Sequence, residues 1–566
     1  MLKILKQLNK KENMLIILVL MLTVFQVFLD LKAPEYMAEI TRLVQTKGSK
    51  IIDILTQGGF MLLCALGSLA GAIIVGYLAS FISSSFSFRL RKTLFTKVED
   101  FSMEEIKAFS TNSLITRTTN DITQVQMFIS VGMQILLKSP ILAIWAIFKI
   151  LDKSKEWTTL TAGSVFFLII YIIIIISFVL PKFKKVQKNI DKLNGVAREN
   201  LLGIKVVRAF NAEEYQEKKF SLVNDELTKT QTFIQRMMST LHPMMHLIMY
   251  IMTLGIYFIG AYLIDAANFT SKLGIFSDMV VFSTYAMMIL MSFVMLAMIF
   301  IIYPRASVSA TRINEVLDVS SKIIDGDIDR DLSDIRGMVE FKNVSFKYPD
   351  ADEYILKDIS FKIKPNETFA IIGSTGSGKS TLINLLPRFY DVTSGSILVN
   401  NIDVKNYKQE FLNDKIGYVP QKAGMFSGTV IENVAYGSKS KGKGTNKLKR
   451  AIEIAQAKDF VENLEKKYQA HIARGGTNVS GGQKQRLSIA RAIIKEPEIY
   501  IFDDTFSALD YKTDLKLRQE LRKATNSATS IIVSQRIGTI LHADQILVLD
   551  EGKIAGLGTH KELLKT

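Results

Sequence analysis

Apolar residues follow two different rhythms along this chain. From residue 14 to about 303 they come in long runs, near 14–30, 58–83, 129–150, 158–180, 241–265 and 278–303. Each approaches the roughly 20 residues that a bilayer-spanning helix requires. From about 338 onward the runs shorten to strand length and alternate with helical patterns and turn residues, the mark of a folded α/β domain. The expected fold is an α-helical membrane domain with six transmembrane helices, fused to an α/β domain. Between Pro304 and Gly337 the chain turns polar, and the run from Ser320 through Ser333 reads as a linker. The expected domains are therefore 1–320, a linker at 321–337, and 338–566.

Six spans return the chain to the side on which it started. Lys3, Lys6, Lys10 and Lys11 precede the first span, and Lys182, Lys184, Lys185, Lys188, Lys192 and Arg198 follow the fourth. The positive-inside rule puts both segments, both termini and the α/β domain in the cytosol. The cytosolic connections 84–128 and 181–240 are long, polar and helix-patterned, whereas 151–157 is barely a turn, so the spanning helices should extend far into the cytosol. A signal peptide is the competing reading of the first 30 residues, but no small-residue cleavage site closes the run and five spans follow.

Composition changes this picture little. The chain has 566 residues, 48% of them hydrophobic, and a net charge of +16. The basic residues sit largely beside the spans, where they set topology and meet anionic lipid, so membrane lipids are expected partners and nucleic acid is not. The one cysteine, Cys64, lies inside the second span and cannot form an internal disulfide.

Candidate chemistry is concentrated in the second domain. Gly373-Ser374-Thr375-Gly376-Ser377-Gly378-Lys379-Ser380-Thr381 follows the strand-like run Phe369–Ile372 and precedes an apolar helical run. This is G-x-x-x-x-G-K-[ST] in its strand–loop–helix context, which predicts nucleoside triphosphate binding. The glycines let backbone N–H groups face phosphate oxygens, Lys379 supplies a cation, and the Ser380 hydroxyl can ligate Mg²⁺. Ile499-Tyr-Ile-Phe-Asp503 is an apolar strand ending in a carboxylate, the arrangement that sets an acid beside Mg²⁺. Ser480-Gly481-Gly482-Gln483 opens a helical pattern and offers a second anion cradle.

These elements, in this order, resemble an ATP-binding cassette (ABC) transporter along essentially the whole chain. Six spans fused ahead of one cassette look like an exporter-type half-transporter. The resemblance implies an α/β ABC-type nucleotide-binding domain with ATP and Mg²⁺ as ligands, and a second half-transporter as partner. It implies that Ser480–Gln483 form the signature motif acting in trans, that Tyr348 stacks on adenine, and that Gln421 lies in the loop facing the membrane domain and near the metal. Ser507-Ala508-Leu509-Asp510 matches the D-loop. Thr111–Arg117 with Asn120 and Asp121 is similar to the first coupling helix, and Glu199–Phe210 to the second.

Three positions depart from the family pattern. The residue after Asp503 is normally Glu but is Asp504, one methylene shorter, and the switch histidine is replaced by Gln535. Arg474 stands before the signature where the family usually has Glu. A displacement of about 1 Å of a water-positioning group can cost on the order of 100-fold in rate. Glutamine cannot carry the charge of imidazole. The pattern resembles the degenerate-site subunit of bacterial heterodimeric multidrug exporters: an ATP-hydrolysing translocase whose own site is impaired but whose signature serves the partner's site. A homodimer would have two impaired sites. The expected substrate is an amphipathic small molecule, with lipid flipping, peptide export, metal–chelator import or a chiefly regulatory ATP-binding role as alternatives.

Substrate contacts are weakly marked. The sixth span is rich in Met279, Phe282, Met287, Met288, Met291, Phe293, Met295, Met298 and Phe300, suited either to varied apolar ligands or to packing. Asp30, Glu35 and Glu39 favour cationic substrates or simply lie in the outer interface.

Overall fold

The computed structural model describes every residue except 47, 152, 437, 439–444, 508 and 566. It divides into two compact units: Met1–Glu99 with Thr111–Val319, and Asp100–Ser110 with Ser320–Thr566.

The first unit is helical. In chain order its helices, with one that belongs to the second unit, are α1 (Leu2–Leu5), α2 (Lys10–Gln45), α3 (Ile51–Glu99), α4 (Met103–Phe109, second unit), α5 (Thr111–Thr116), α6 (Ile122–Leu151), α7 (Lys155–Leu202), α8 (Ile204–Ala209), α9 (Glu213–Ser239), α10 (Leu241–Ala266) and α11 (Phe269–Asp318). Six segments among the described residues are long and apolar enough to cross a membrane: Lys10–Gln45, Ile51–Glu99, Thr111–Leu151, Lys155–Leu202, Glu213–Ala266 and Ser271–Asp318. Each contains one of the six apolar runs. At about 1.5 Å per residue, helices such as the 49-residue α3 reach well beyond a hydrocarbon core of ~30 Å.

Polar residues fix the helix ends of this unit. Asn9 and Glu12 form a capping box at the start of α2. The buried Glu12 also receives hydrogen bonds from Arg89 (2.7 and 3.0 Å) and Ser85 (3.2 Å), which join α2 to α3. At the other end Trp157 is buried, donates its indole N–H to the Ile256 carbonyl (3.1 Å) and packs on Phe282. The connection 151–157 is short because Ser154 caps α7 at once. Pro304, where the sequence turns polar, does not end the sixth helix, and α11 runs on to Asp318.

The segment expected to form the first coupling helix is α5 followed by a π-helical turn. Thr111–Asp121 stays with the membrane unit, because its π-helical turn Arg117–Asp121 is tied to α11. Ser309 donates to Asp121 (2.8 Å), Arg312 lies 3.4 Å from Asp121, and Arg117 pairs with Glu315 at 2.7 Å. Asp100–Ser110 groups with the second unit, and in it Ser102 and Glu105 form a capping box at the start of α4. At the second coupling position, Gly203 ends α7 and the short helix α8 follows.

The second unit contains two main sheets. Its strands are β1 (Val339–Phe346), β2 (Leu356–Ile363), β3 (Thr368–Gly373), β4 (Ser394–Val399), β5 (Ile402–Asp403), β6 (Ile416–Val419), β7 (Gly428–Thr429), β8 (His471–Ile472), β9 (Ile499–Asp503), β10 (Thr529–Val533), β11 (Gln545–Asp550) and β12 (Lys553–Gly558). A four-stranded antiparallel sheet has the order β2-β1-β4-β5. A six-stranded sheet has the order β12-β11-β3-β10-β9-β6 and is parallel except for β12. Stacked Phe341, Phe361 and Phe369, with centroids 4.5 and 5.0 Å apart, join the two sheets through one core.

The stretch expected to be a linker is packed onto this unit. Gly326 donates to the Tyr407 carbonyl (3.0 Å), Ile328 to the Asn406 carbonyl (3.0 Å), and Asp329 pairs with Lys408 at 2.6 Å. Asp331 pairs with Lys415, whose side chain is only 5% exposed and which also contacts Glu498 at 2.8 Å. Removing the Lys415 cation strands the largely buried Glu498 carboxylate, a change that costs about 3 kcal/mol in a buried pair. Lys415→Met is expected to lower the midpoint of thermal unfolding by several degrees in a differential scan, and an unchanged midpoint would show that the strap contributes no stability.

Candidate functional site

The loop after β3 has a fixed shape. Gly378, at φ +99°, is the N-cap of the helix Lys379–Asn384, and a Cβ there would come within 2.9 Å of Leu356 and 3.2 Å of the Ile355 carbonyl. A Cβ at Gly373 would lie 2.1 Å from the Leu549 carbonyl oxygen. Gly376, at φ +89°, faces open space, so the cradle is closed by protein on one side and open on the other. Lys379 is buried and folds back over the loop, donating to the carbonyls of Gly373 (2.9 Å) and Ser374 (2.6 Å). Burial pushes its pKa down, against the opposing pull of Asp504 and Asp503. A polyphosphate in the cradle would supply the negative charge that this cation lacks, so the residues fit a nucleotide.

Parallel pairing brings the other candidates to the same edge. Val533 of β10 lies opposite both Ile371 of β3 and Asp503 of β9, and Val419 of β6 opposite Phe502. The carboxyl ends of these four strands converge, which is where open α/β sheets bind ligands. Asp503 is buried and accepts a hydrogen bond from Ser380 Oγ at 3.2 Å. Burial pushes its carboxyl pKa up, the Ser380 contact opposes this, and the neighbouring Asp504 adds to it. A hydroxyl beside a buried carboxylate fits Mg²⁺, a cation that selects oxygen ligands. Thr375, Ser377 and Thr381 complete the loop, Ser377 and Thr381 being buried.

Asp504, Gln535 and Gln421 lie just past the ends of β9, β10 and β6 respectively. Asp504 has φ +40°, a conformation in which Asp is tolerated better than most residues, and its N–H donates to the Val533 carbonyl at 3.0 Å. The side chains of Gln535 and Gln421 are exposed. In the D-loop Ser507 donates to the Asp504 carbonyl (2.8 Å), Leu509 is buried, and Asp510 caps the helix Tyr511–Ala524 by accepting from the Thr513 N–H at 3.0 Å. Ala508 lies outside the described residues.

Ser480 is the N-cap of Gly481–Ile493 in a capping box with Gln483, so the first N–H groups of this helix, at Gly481 and Gly482, have no acceptor within it. Ser480 and Gly481 are exposed, which makes this a helix N-terminus open to an anion. Arg474 is also exposed, just ahead of two glycines at φ +68° and +66°. Tyr348 is half-buried beside the phosphate loop, its hydroxyl 3.1 Å from Thr381 Oγ1.

The structure adds two residues that the motifs did not reveal. The buried Gln485, in the signature helix, donates to the Pro420 carbonyl (3.1 Å) and so links that helix to the residue before Gln421. Arg536 reaches the Ser507 carbonyl at 3.0 Å and ties the switch segment to the D-loop. Only the position of each beside a motif could have flagged them.

In the membrane unit the candidate acids are matched by cations. Asp30 contacts Ser68 and pairs with Lys138 (3.1 Å), Glu35 pairs with Lys32 (2.6 Å) and Lys149 (2.7 Å), and Glu39 pairs with Arg42 at 2.6 Å. The methionine-rich stripe is split: Met279 and Phe282 are buried core residues, Met287, Met288 and Phe293 pack against that core, and Met291, Met295, Met298 and Phe300 are exposed.

Comparison with known proteins agrees with both halves. The family profile described as ABC transporter transmembrane region matches residues 16–293, and that described as ABC transporter matches 356–507. An uncharacterised ABC transporter ATP-binding protein of Mycobacterium tuberculosis is 37% identical over 100% of this chain and 96% of its own length. The ATP-dependent lipid A-core flippase of Pseudomonas aeruginosa is 30% identical over 87% of this chain and 80% of its own length. A solved bacterial Atm1-family ABC exporter with ATP bound superposes with a TM-score of 0.81 at 24% identity, covering 98% of this chain and 96% of that one, which shows the shared fold.

Proposed function

The chain belongs to the ABC transporter family, with a six-helix membrane region fused to its own cassette, and from that premise we propose that it is the degenerate-site subunit of a heterodimeric exporter. The pair would move amphipathic small molecules out across a bacterial plasma membrane, with the cassette and both termini in the cytoplasm. The observation that carries this reading is an asymmetry within one chain. Asp504 and Gln535 stand at the two hydrolytic positions, while Ser480 caps an exposed helix start with its signature intact.

In this reading Gly373–Thr381 and Tyr348 hold ATP, and Ser380, Gln421 and Asp503 would hold Mg²⁺, which would neutralise phosphate charge. Asp504 orients water poorly because its carboxylate falls short, and Gln535 offers only a neutral hydrogen bond. The nucleotide therefore holds the cassettes together longer than it is hydrolysed. Ser480 and the N–H groups of Gly481 and Gly482 would close over ATP held by the partner, where an intact Glu and His perform hydrolysis. Closure requires ATP to bind the joined cassettes much better than the separated ones, since a ligand shifts an equilibrium only by its differential affinity.

The first test is ATPase activity of this chain purified alone, with Lys379→Ala as the blank, and then with the product of an adjacent cassette gene, with a phosphate-loop lysine variant of both chains as the blank. Activity near background alone that rises strongly with the partner is expected. Exporter-like turnover by the chain alone would sink the heterodimer. Relatives that include lipid A-core flippases favour one second reading, movement of an amphipathic lipid between leaflets. Reconstitution of the pair with labelled lipid or with an amphipathic dye separates the two.

A further inference from the structure

The ring expected to receive adenine already carries a cation. Lys107 of α4 places Nζ 5.2 Å from the centroid of Tyr348, over the ring. Phe346 and Tyr390 lie nearly perpendicular to that ring at 5.0 and 5.3 Å, and are themselves 5.7 Å apart. These two rings cluster on one side of Tyr348, and the hydroxyl is anchored on Thr381.

The segment bearing Lys107 is held to the same unit at its other end. Glu104 pairs with Lys322, and Glu105 accepts the Lys322 backbone N–H at 3.2 Å. Phe101 is buried and stacks on Phe109 at 6.0 Å. Lys107 itself is exposed, so its contact with the ring is the part of this arrangement that can be exchanged at small cost.

We propose that Lys107 and the adenine of ATP compete for the same face of Tyr348, so that base stacking displaces Lys107 and reports nucleotide occupancy to α4. This rests on the reading of Gly373–Thr381 and Tyr348 as the nucleotide site. Stacking of a base at van der Waals distance leaves no room for an ammonium over the same ring face, and the cation–π attraction opposes binding by the modest amount typical of exposed sites. Because α4 connects α3 to α5 along the chain, its displacement provides a mechanical output from an event at the base.

The test is equilibrium binding of ATP to the full-length chain in lipid nanodiscs, with tripolyphosphate as the base-free probe. Lys107→Met, which keeps the apolar stem and removes the charge, is expected to tighten ATP binding about 3-fold and leave tripolyphosphate unchanged. Lys107→Arg keeps a cation over the ring and should bind ATP as the parent does. In a Tyr348→Ala background the effect of Lys107→Met should vanish. Weaker or unchanged ATP binding by Lys107→Met overturns the proposal, as does an equal shift for tripolyphosphate, a shift that persists without Tyr348, or an arginine variant that behaves like methionine. Lys379→Ala checks the underlying site separately: if it leaves ATP binding intact, the nucleotide reading fails, whatever Lys107 does.

Discussion

In the assembled pair, Ser480→Arg is expected to lower ATP hydrolysis on the order of 100-fold, whereas Lys379→Ala in the same chain lowers it by less than about 10-fold. The first substitution puts a bulky cation at an exposed helix N-terminus that serves the partner's nucleotide, where loss of preorganised donors costs about 10²–10³ in rate. The second removes phosphate binding at a site that turns over slowly in any case, and so affects assembly more than chemistry. Ser480 is also a cap, worth about 1 kcal/mol of helix stability, so a thermal scan must show that the variant is folded. Equal losses from the two substitutions would indicate two equivalent sites, and the asymmetric assignment would fall.

The double substitution Asp504→Glu with Gln535→His is expected to raise hydrolysis by this chain alone on the order of 100-fold, reversing the cost of a misplaced water-positioning group. The backbone opposes part of this gain. Asp504 sits at φ +40°, where Glu is less at ease than Asp, and the strain costs about 1 kcal/mol. Asp504→Glu alone should therefore recover less than the pair, because histidine at 535 also adds a group able to carry charge beside the γ-phosphate. Phosphate release by the purified chain, with Lys379→Ala added to each variant, measures the gain. Altered coupling in the pair with no gain by the chain alone would favour a purely regulatory subunit.

Much of the site was legible in order along the chain because its chemistry is local. A phosphate loop needs glycines, a lysine and a hydroxyl within nine residues, and the signature is one helix start. The six spans were equally open to reading, since a bilayer demands continuous apolar length. Tertiary packing was less legible. The acids of the first helix read either as contacts for cationic substrates or as outer-interface residues, and only the fold placed Lys138 and Lys149 beside Asp30 and Glu35. In the methionine-rich stripe Met279 and Phe282 are core and Met287, Met288 and Phe293 pack against it, which periodicity on one helix does not distinguish from a binding face.

The sequence by itself determined the family and the membrane and cassette halves, and it marked the candidate nucleotide cradle and the departures at Asp504 and Gln535, because each depends on residue type at close spacing. Only the tertiary structure decided which segments travel with the cassette. The polar stretch 320–337 is strapped down by Lys408 and Lys415, and Asp100–Ser110 groups with that unit. Those outcomes rest on pairings between residues far apart in the chain, Asp331 with Lys415, Asp121 with Ser309 and Lys107 with Tyr348. No local pattern encodes such pairings, because each partner alone reads as an ordinary surface residue.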